Sequence, residues 1–466
     1  MLDTLLTLPE GKTLEFKRDL SSPRPWLKTL VAFANTAGGK LVIGVEDDRR
    51  VTGVEDPLAE EERLCSFIAD SIAPRLVPNI ELVTIDGKTL LIAEVFPSSS
   101  RPHFLRAEGP ENGVFVRLGS TNRQADRELI VELRRSVEGG SFDELPLASL
   151  TAEDLDLKVA ADFFAGRRDL DEKGLLTLKL LRKEQGRLVP TKGAILLFGK
   201  DRLAHFPDAW IQCGRFTGMT KTHIFDHTEF HDPLPRAVES IMLFLKKHAM
   251  RGADLSEIRR KDVWSIPLTI LREVVINALV HADYSQRGAP TRVAFFDDRI
   301  EIENPGILLP GLTIEDMKQG VSRIRNPVIA RVFRELNLIE QWGSGVRRIF
   351  EEAATQNLPV PEIVEVGMRV RFIVKLAAPL IIPQVIPQVT PQVTPQVKAL
   401  LHAMQGEQTR EEIQSVLGLA DRENFRTSYL VPAIEAAWIE RTIPEKPQSR
   451  LQKYRLTPQG RSLLEK

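Results

Sequence analysis

Cysteine is scarce. The 466 residues hold two, Cys65 and Cys213, far apart and without metal-ligand spacing. A disulfide framework and a cysteine zinc site are therefore excluded, and a reduced cytoplasmic protein with buried thiols is expected. Net charge is also lacking, since 63 Lys and Arg face 64 Asp and Glu for a formal charge of −1. Global electrostatics thus give no sign of a nucleic-acid partner, and local charge has to carry that question. No N-terminal run has signal-peptide form, and no apolar run reaches membrane-spanning length without a charge or a proline, which argues against secretion and insertion. No Gly-x-x-x-x-Gly-Lys-Ser/Thr stretch occurs, so the usual motor phosphate cradle is missing and a helicase is rejected.

The composition, 42% hydrophobic and 27% charged, is that of an ordinary globular chain, long enough for about three domains with their own cores. The most informative stretch is Leu271 to Tyr284, LREVVINALVHADY. Glu273, Asn277 and His281 recur every four residues and share one stripe of a helix, while Val274, Val275, Ala278 and Leu279 turn toward a core. A carboxylate can orient water, and a carboxamide oxygen one turn on can hold Mg²⁺ together with phosphate oxygens. Alone, the stripe would better suit the solvated face of an amphipathic helix. Two further elements follow. Asp297-Asp298-Arg-Ile-Glu-Ile-Glu-Asn304-Pro305-Gly306 reads as turn, strand and breaker. Asn337-Leu-Ile-Glu-Gln-Trp-Gly343-Ser-Gly345 then places two glycines where a helix would begin and backbone N–H groups could approach phosphate.

In this order the three elements resemble the GHKL ATPase superfamily, in the divergent form of bacterial "RecG-related" or "AAA-4" transcriptional regulators, over about residues 255–376. The resemblance implies that Glu273 is the water-orienting base and that Asn277 is the Mg²⁺ ligand. It also implies that His281, Asn304, Gly306, Gly343 and Gly345 bind ATP. The second motif normally supplies an Asp. Asn304 brings no charge and Pro305 removes a donor, so slow hydrolysis is expected.

Near the N-terminus, Leu14 and Phe16 share one face of a strand and Glu15 and Lys17 the other. Trp26 to Ala34 follows with helical spacing, Gly38-Gly39 ends that helix, and Leu41 to Val45 is a compact strand leading to a hairpin turn. The runs LEFKRDL, VAFANTAGGKLVIGVEDDRRVTGV and GVFVRLGSTNRQAD resemble the Schlafen AlbA_2 domain, which implies a nucleic-acid-associated α/β fold over residues 1–137. Arg117, Thr121, Asn122 and Arg123 form a polar, basic segment past a strand, suited to phosphate or to solvent. Schlafen nucleases use three carboxylates with a metal, and the resemblance carries these to Glu10, Glu15 and Asp47 as the catalytic set of an alternative reading, RNA or DNA cleavage.

Residues 138–254 read as a connecting α/β region. Within it Lys192 to Gly199 is a buried strand or helix start, and His223, His227 and His231 are isolated polar histidines rather than a helical metal stripe. IPQV-IPQV-TPQV-TPQV marks residues 377–398 as a semi-rigid, proline-spaced linker. In residues 399–466 the order helix, turn, Asp421-capped helix and two strands is that of a winged helix-turn-helix. From Arg441 to Lys466 seven basic residues face two acidic ones, as a wing against phosphate would require, though a dimerisation module of the same fold has the same order. Base or phosphate contacts are expected from Arg422, Asn424, Arg426, Arg450 and Lys453. The sequence thus predicts an α/β multidomain protein: an AlbA_2 domain, a GHKL-like α/β sandwich in 255–376 and a winged helix-turn-helix. Its expected cofactors are ATP and Mg²⁺, and its expected role is that of a homo-oligomeric regulator with DNA or RNA as partner and no membrane.

Overall fold

Leu14 and Phe16 are both buried on one face of the strand Leu14–Lys17, as the alternation predicts. This strand pairs in parallel with Gly39–Ile43 after a crossover through the helix Pro23–Asn35. Pro23 is tolerated because the first helical N–H has no partner within the helix. Beyond the helix Gly38 takes φ +80, where a Cβ would meet the Val95 carbonyl oxygen at 2.7 Å, so the reversal requires glycine. Lys88–Val95 and then Asn79–Ile85 add antiparallel strands to complete a four-stranded sheet. The computed structural model describes residues 2–254, 261–264, 266–339, 345–376, 395–443 and 451–464.

Some local expectations change. Thr121–Gln124 is not a loop but a strand, hairpin-paired with Phe115–Leu118. Cys213 is buried as expected, whereas Cys65 is exposed, because Leu64 and Ile68 set the inward face of its helix Pro57–Ser71. Lys192–Phe198 is a helix whose first turn is capped by Thr191, its Oγ1 accepting from the Ala194 N–H at 3.2 Å. His227 sits on the strand Ile224–Phe230, so the three histidines do not share a helix.

The second sheet has six strands, in the order Ile224–Phe230, Ile211–Phe216, Thr291–Phe295, Arg299–Pro305, Arg369–Lys375, Glu362–Val366. Only the pairing of Ile211–Phe216 with Thr291–Phe295 is parallel. Its first two strands come from residues 138–254, and one hydrophobic core runs from Leu155 to Leu376. The division expected at residue 255 therefore passes through a single sheet and core. Helices Leu234–Ala249, Leu268–Val280 and Gly345–Thr355 pack beside one another on this sheet. Among the described residues no helix is long and apolar enough to cross a membrane.

The chain divides into two units, Met1–Leu380 and Ile381–Lys466. In the second, the helix Pro395–Ala403 starts on the last proline of the repeat, which is harmless at a helix N-terminus. Asp421 Oδ1 accepts from the Glu423 and Asn424 N–H groups and opens a helical run from Arg422 to Glu435. The run widens into a π-turn over Arg426–Leu430, just before Pro432, which lacks an N–H. A three-stranded sheet of Gln408–Thr409, Lys453–Leu456 and Ile439–Arg441 packs with these helices around Leu400, Ile413, Phe425 and Trp438.

Within the first unit the two sheets are tied together by buried polar contacts. Fully buried Asp143 accepts from the Val328 N–H (2.7 Å), the Ile329 N–H (3.0 Å) and Ser141 Oγ (2.9 Å), capping the helix Pro327–Glu335 from outside. Burial outweighs these hydrogen bonds and pushes its pKa up to about 6. The folded pKa thus lies above the unfolded value of about 3.9, and the folded state holds the proton more tightly. The resulting stabilisation is complete below about pH 4 and is lost as pH rises through about 6. Urea-unfolding stability of the wild type should fall between about pH 4.5 and about pH 7 more steeply than that of Asp143→Asn. Asp143→Ala, which orphans two N–H groups, should cost about 1–3 kcal/mol. Parallel pH profiles for wild type and Asp143→Asn would remove the assignment.

Candidate nucleotide site

The helix Leu268–Val280 is buried around most of its circumference, with Ile270, Leu271, Val274, Ile276, Ala278 and Val280 all enclosed. Glu273 and Asn277 face the remaining gap. Asn277 Nδ2 donates to the Glu273 carbonyl at 2.8 Å and to Glu273 Oε1 at 3.0 Å, which leaves Asn277 Oδ1 as the acceptor for a ligand or cation. The helix ends at His281, whose N–H still reaches the Asn277 carbonyl at 2.9 Å. Its last carbonyls are satisfied from outside. Fully buried Asn326 donates through Nδ2 to the Val280 and Ala282 carbonyls at 2.8 and 2.7 Å.

A cavity of about 390 Å³ opens along this face. Glu273, Asn277, His281, Asn304 and Gly345 all line it. Ile276, Val280, Leu308, Leu312, Met317 and Phe372 give it apolar walls, and Arg323, Arg334 and Arg348 bring positive charge. Burial lowers the His281 pKa to about 4, so the imidazole is neutral near pH 7. Asn304 is buried, and its Nδ2 donates to the Pro305 carbonyl (3.1 Å) and the His281 carbonyl (3.4 Å), so Oδ1 is what it can offer a ligand. Gly345 starts the helix Gly345–Thr355 directly against the Glu273 carboxylate, where a Cβ has no room. Gly306 does not line the cavity. At φ +99 it packs behind the wall, and a Cβ there would stand 2.8 Å from Asp283 Cβ. Gly343 lies outside the described residues.

The arginines and Asn326 were not anticipated from the sequence. For Arg323 and Asn326 the local signal is the alternation Ser322-Arg323-Ile324-Arg325-Asn326 before Pro327, which resembles any polar loop, and Arg334 and Arg348 sit on helices where a basic residue reads as solvated. A Mg²⁺–nucleotide suits this donor set. Mg²⁺ commonly takes one or two protein oxygens and completes its shell from phosphate and water, and Asn277 Oδ1 offers one such oxygen, with the Glu273 carboxylate and the arginines beside it.

The nucleic-acid and nuclease expectations for the N-terminal sheet fare differently. Arg117 is 1% exposed and is therefore removed from the candidate phosphate contacts. Its guanidinium pairs with buried Glu15 and donates to the Gly11 carbonyl (3.0 Å) and Asn122 Oδ1 (2.9 Å), because a buried charge needs a complete set of partners. Asn122 in turn donates to Thr29 Oγ1 at 2.9 Å and is an internal brace. Thr121 and Arg123 are exposed on the hairpin. Of the three carboxylates, Glu15 is tied to Arg117 and to Lys17 Nζ (2.5 Å), and Glu10 Oε1 accepts from the Phe16 N–H (2.9 Å). Asp47 is exposed in a turn. They do not converge, and among the described residues no group of three His, Cys, Asp or Glu could hold a metal. In the second unit Arg422, Asn424 and Arg426 are exposed along one helical run and Lys453 on a strand, while Arg450 lies outside the described residues.

Three family models match. Residues 10–126 match "Schlafen, AlbA_2", residues 288–374 match "Putative ATP-dependent DNA helicase recG C-terminal", and residues 395–457 match "Filamentation induced by cAMP protein Fic-like, C-terminal domain". The second match begins after the helix that carries Glu273 and Asn277. No curated protein matches the chain. Among solved structures, the DIP2311 protein from Corynebacterium diphtheriae is similar at 20% identity over 100% of this chain and 98% of that one, with a TM-score of 0.43. The N-terminal domain of a RecG-related protein from Nitrosomonas europaea is similar at 30% identity over 27% of this chain and 90% of that one, with a TM-score of 0.22. A Fic family protein from Desulfovibrio desulfuricans is similar at 17% identity over 72% and 77%, with a TM-score of 0.14.

The close approach of Gly345 to Glu273 yields a direct test. Gly345→Ala should force the carboxylate aside and weaken Mg-ATP binding by about tenfold or more, read by calorimetry. Gly306→Ala should instead cost stability, about 1–3 kcal/mol, through its positive φ and the contact with Asp283. Unchanged nucleotide affinity in Gly345→Ala would take Glu273 out of the site.

Proposed function

We propose that this chain, which belongs to the Schlafen AlbA_2 family over its N-terminal domain and carries a RecG C-terminal-type domain, is a cytoplasmic DNA-binding regulator that responds to ATP. The observation that carries the reading is the single cavity that gathers Glu273, Asn277, His281, Asn304 and Gly345 with Arg323, Arg334 and Arg348. When bound, Mg²⁺ would supply charge neutralisation at the phosphates. Asn277 Oδ1 would hold the cation, and Glu273, steadied by the Asn277 amide, would orient a water. Neutral His281 and Asn304 Oδ1 would offer hydrogen bonds, and the apolar walls would exclude solvent from a base. Because Asn304 stands where the resembled motif has an Asp, binding is weak and turnover slow on this reading.

The second unit is read as a winged helix that contacts DNA. Support comes from its order of elements and from exposed Arg422, Asn424 and Arg426 near the start of the helical run, the end that enters the major groove in such modules. A nucleotide can alter DNA affinity only by binding one conformation better than another, so the regulator reading requires such a difference.

Calorimetry with Mg-ATP tests the first half. Wild type should bind and Asn277→Ala should bind at least about tenfold more weakly. Equal affinities, or no heat with the wild type, reject the nucleotide reading. Salt-dependent duplex binding by the full chain and by one ending at Leu376 tests the second. Truncation should lower affinity, Arg422→Ala or Arg426→Ala should cost about 1–3 kcal/mol on a preferred site, and Lys453→Ala should reduce the salt slope by about one unit. Unchanged affinity after truncation would make the second unit a partner module.

A further inference from the structure

A second cavity, also of about 390 Å³, opens between the C-terminal end of the helix Arg127–Val137 and the segment 321–325. Arg101, Arg135 and Arg323 line it, and of these only Arg323 also borders the nucleotide cavity. Elsewhere in the first unit three buried guanidiniums are answered by a carboxylate, in Arg117–Glu15, Arg215–Asp297 and Arg325–Glu132, while buried Arg202 donates to the His231 and Asp232 carbonyls. Among the described residues, none of the three arginines on this cavity has an acidic group within ion-pair distance.

The way they are held leaves donors spare. Arg101 donates to the Ser98 carbonyl and to Ser136 Oγ (3.3 Å), while its Nε is buried with no partner among the described residues. Arg323 Nη1 donates to the Pro310 carbonyl at 2.6 Å. The Arg135 guanidinium lies over the Phe142 ring at 5.4 Å, a ring that also carries Lys192 Nζ at 4.1 Å, and itself makes no hydrogen bond among the described residues. Each guanidinium has five N–H donors, so most remain uncommitted. The acids on the same wall have partners of their own: Glu132 Oε1 pairs with Arg325, Glu144 with Lys179 (2.6 Å) and Ser141 (2.9 Å), and Asp283 Oδ1 accepts from Ser285 Oγ (2.5 Å) and N–H (3.0 Å), while Glu132 Oε2 and Asp283 Oδ2 have none among the described residues. Burial lowers the pKa of Arg101 and Arg135, with Arg323 adding to the effect on Arg101, and raises that of Asp283 toward the neutral acid. Like charges gathered at a half-buried wall are costly unless an anion joins them.

We propose that this cavity is a phosphate-binding site, separate from the nucleotide site, in which Arg101, Arg135 and Arg323 hold either a backbone phosphate of a nucleic acid or a phosphate of a small molecule. Guanidinium forks match phosphate oxygens in pairs, which a lone ammonium cannot do. The site stands whether or not the neighbouring cavity takes ATP. It lies where the N-terminal domain, through Arg101 and Arg135, meets the segment 323–325, so a bound phosphate would touch both.

Arg135→Gln in the full chain is the test, because Arg135 does not line the nucleotide cavity. The probes are a duplex DNA oligonucleotide, followed by anisotropy at several salt concentrations, and inorganic pyrophosphate, followed by calorimetry. A loss of about tenfold in DNA affinity, with the salt slope reduced by about 0.9 and partial recovery in Arg135→Lys, supports the site with a nucleic-acid phosphate. Unchanged DNA binding with pyrophosphate affinity reduced about tenfold supports it with a small-molecule phosphate. Mg-ATP affinity, measured alongside, should not change. No binding of either probe to the wild type, or equal binding by a variant whose thermal unfolding matches it, overturns the proposal. Arg101→Gln, at a side chain that lines this cavity and not the nucleotide cavity, supplies the same comparison should Arg135→Gln not fold.

Discussion

Helix Leu268–Val280 ends inside the protein, and a buried helix end must have its carbonyls satisfied. Asn326 does this with one amide group donating to Val280 and Ala282. Much of the first unit follows from that constraint. Asn326 cannot move without exposing those carbonyls to an apolar interior, so the residues just before it are fixed in place too. Arg325 is thereby aimed at Glu132 and at the Ile307 carbonyl, and Arg323 at the rim shared by two cavities. The same anchor holds the start of helix Pro327–Glu335, whose first N–H groups Asp143 accepts.

The parts of the site that could be read from the sequence are those in which chemistry and periodicity coincide over a few turns. Glu273, Asn277 and His281 share a stripe because a helix repeats every 3.6 residues, and nothing distant is needed to see it. Leu14 and Phe16 declared a strand face by the same local logic. Arg117 did not, since a basic residue beside a turn has the same local appearance whether it meets phosphate or a carboxylate 102 residues away. Glu15 misled in the matching way, as a carboxylate on a strand that could have been a metal ligand and is instead the counter-ion. The boundary drawn at residue 255 missed for a topological reason. The parallel pairing of Ile211–Phe216 with Thr291–Phe295 spans a long crossover, and no local pattern reports which strand a chain will return to.

The join between the N-terminal sheet and the six-stranded sheet is not a loose tether. Ile307 inserts its side chain among Val116, Leu129 and Leu133 of the AlbA_2 domain, so the two halves share a piece of core. The Gly311 N–H donates to the Thr36 carbonyl at 2.9 Å. Glu365 accepts from the Leu308 N–H at 2.8 Å and pairs with Lys12 at 2.5 Å. Lys12 is largely desolvated, which lowers its pKa, yet Glu365 keeps the pair together. These contacts fall on one short stretch after the second motif, and Ile307, Leu308, Leu309 and Leu312 of that stretch also wall the nucleotide cavity.

One segment therefore has a cavity on one side and the N-terminal domain on the other. Packed cores and buried ion pairs move between discrete arrangements rather than bending smoothly. If filling the cavity favours one position of Ile307–Leu312, that preference must be transmitted as a change in how Ile307, Gly311 and Arg325 meet the N-terminal domain, because they have no slack to absorb it. By linkage, a ligand on that domain that prefers one of those arrangements must alter nucleotide affinity by the same factor. The Arg325–Glu132 pair is the most sensitive contact in this chain of contacts, since both side chains are buried and breaking it would leave two charges uncompensated, a cost of about 3–5 kcal/mol. Any rearrangement the protein actually uses must then keep that pair intact and move the two residues together, with the helix Arg127–Val137 following Arg325.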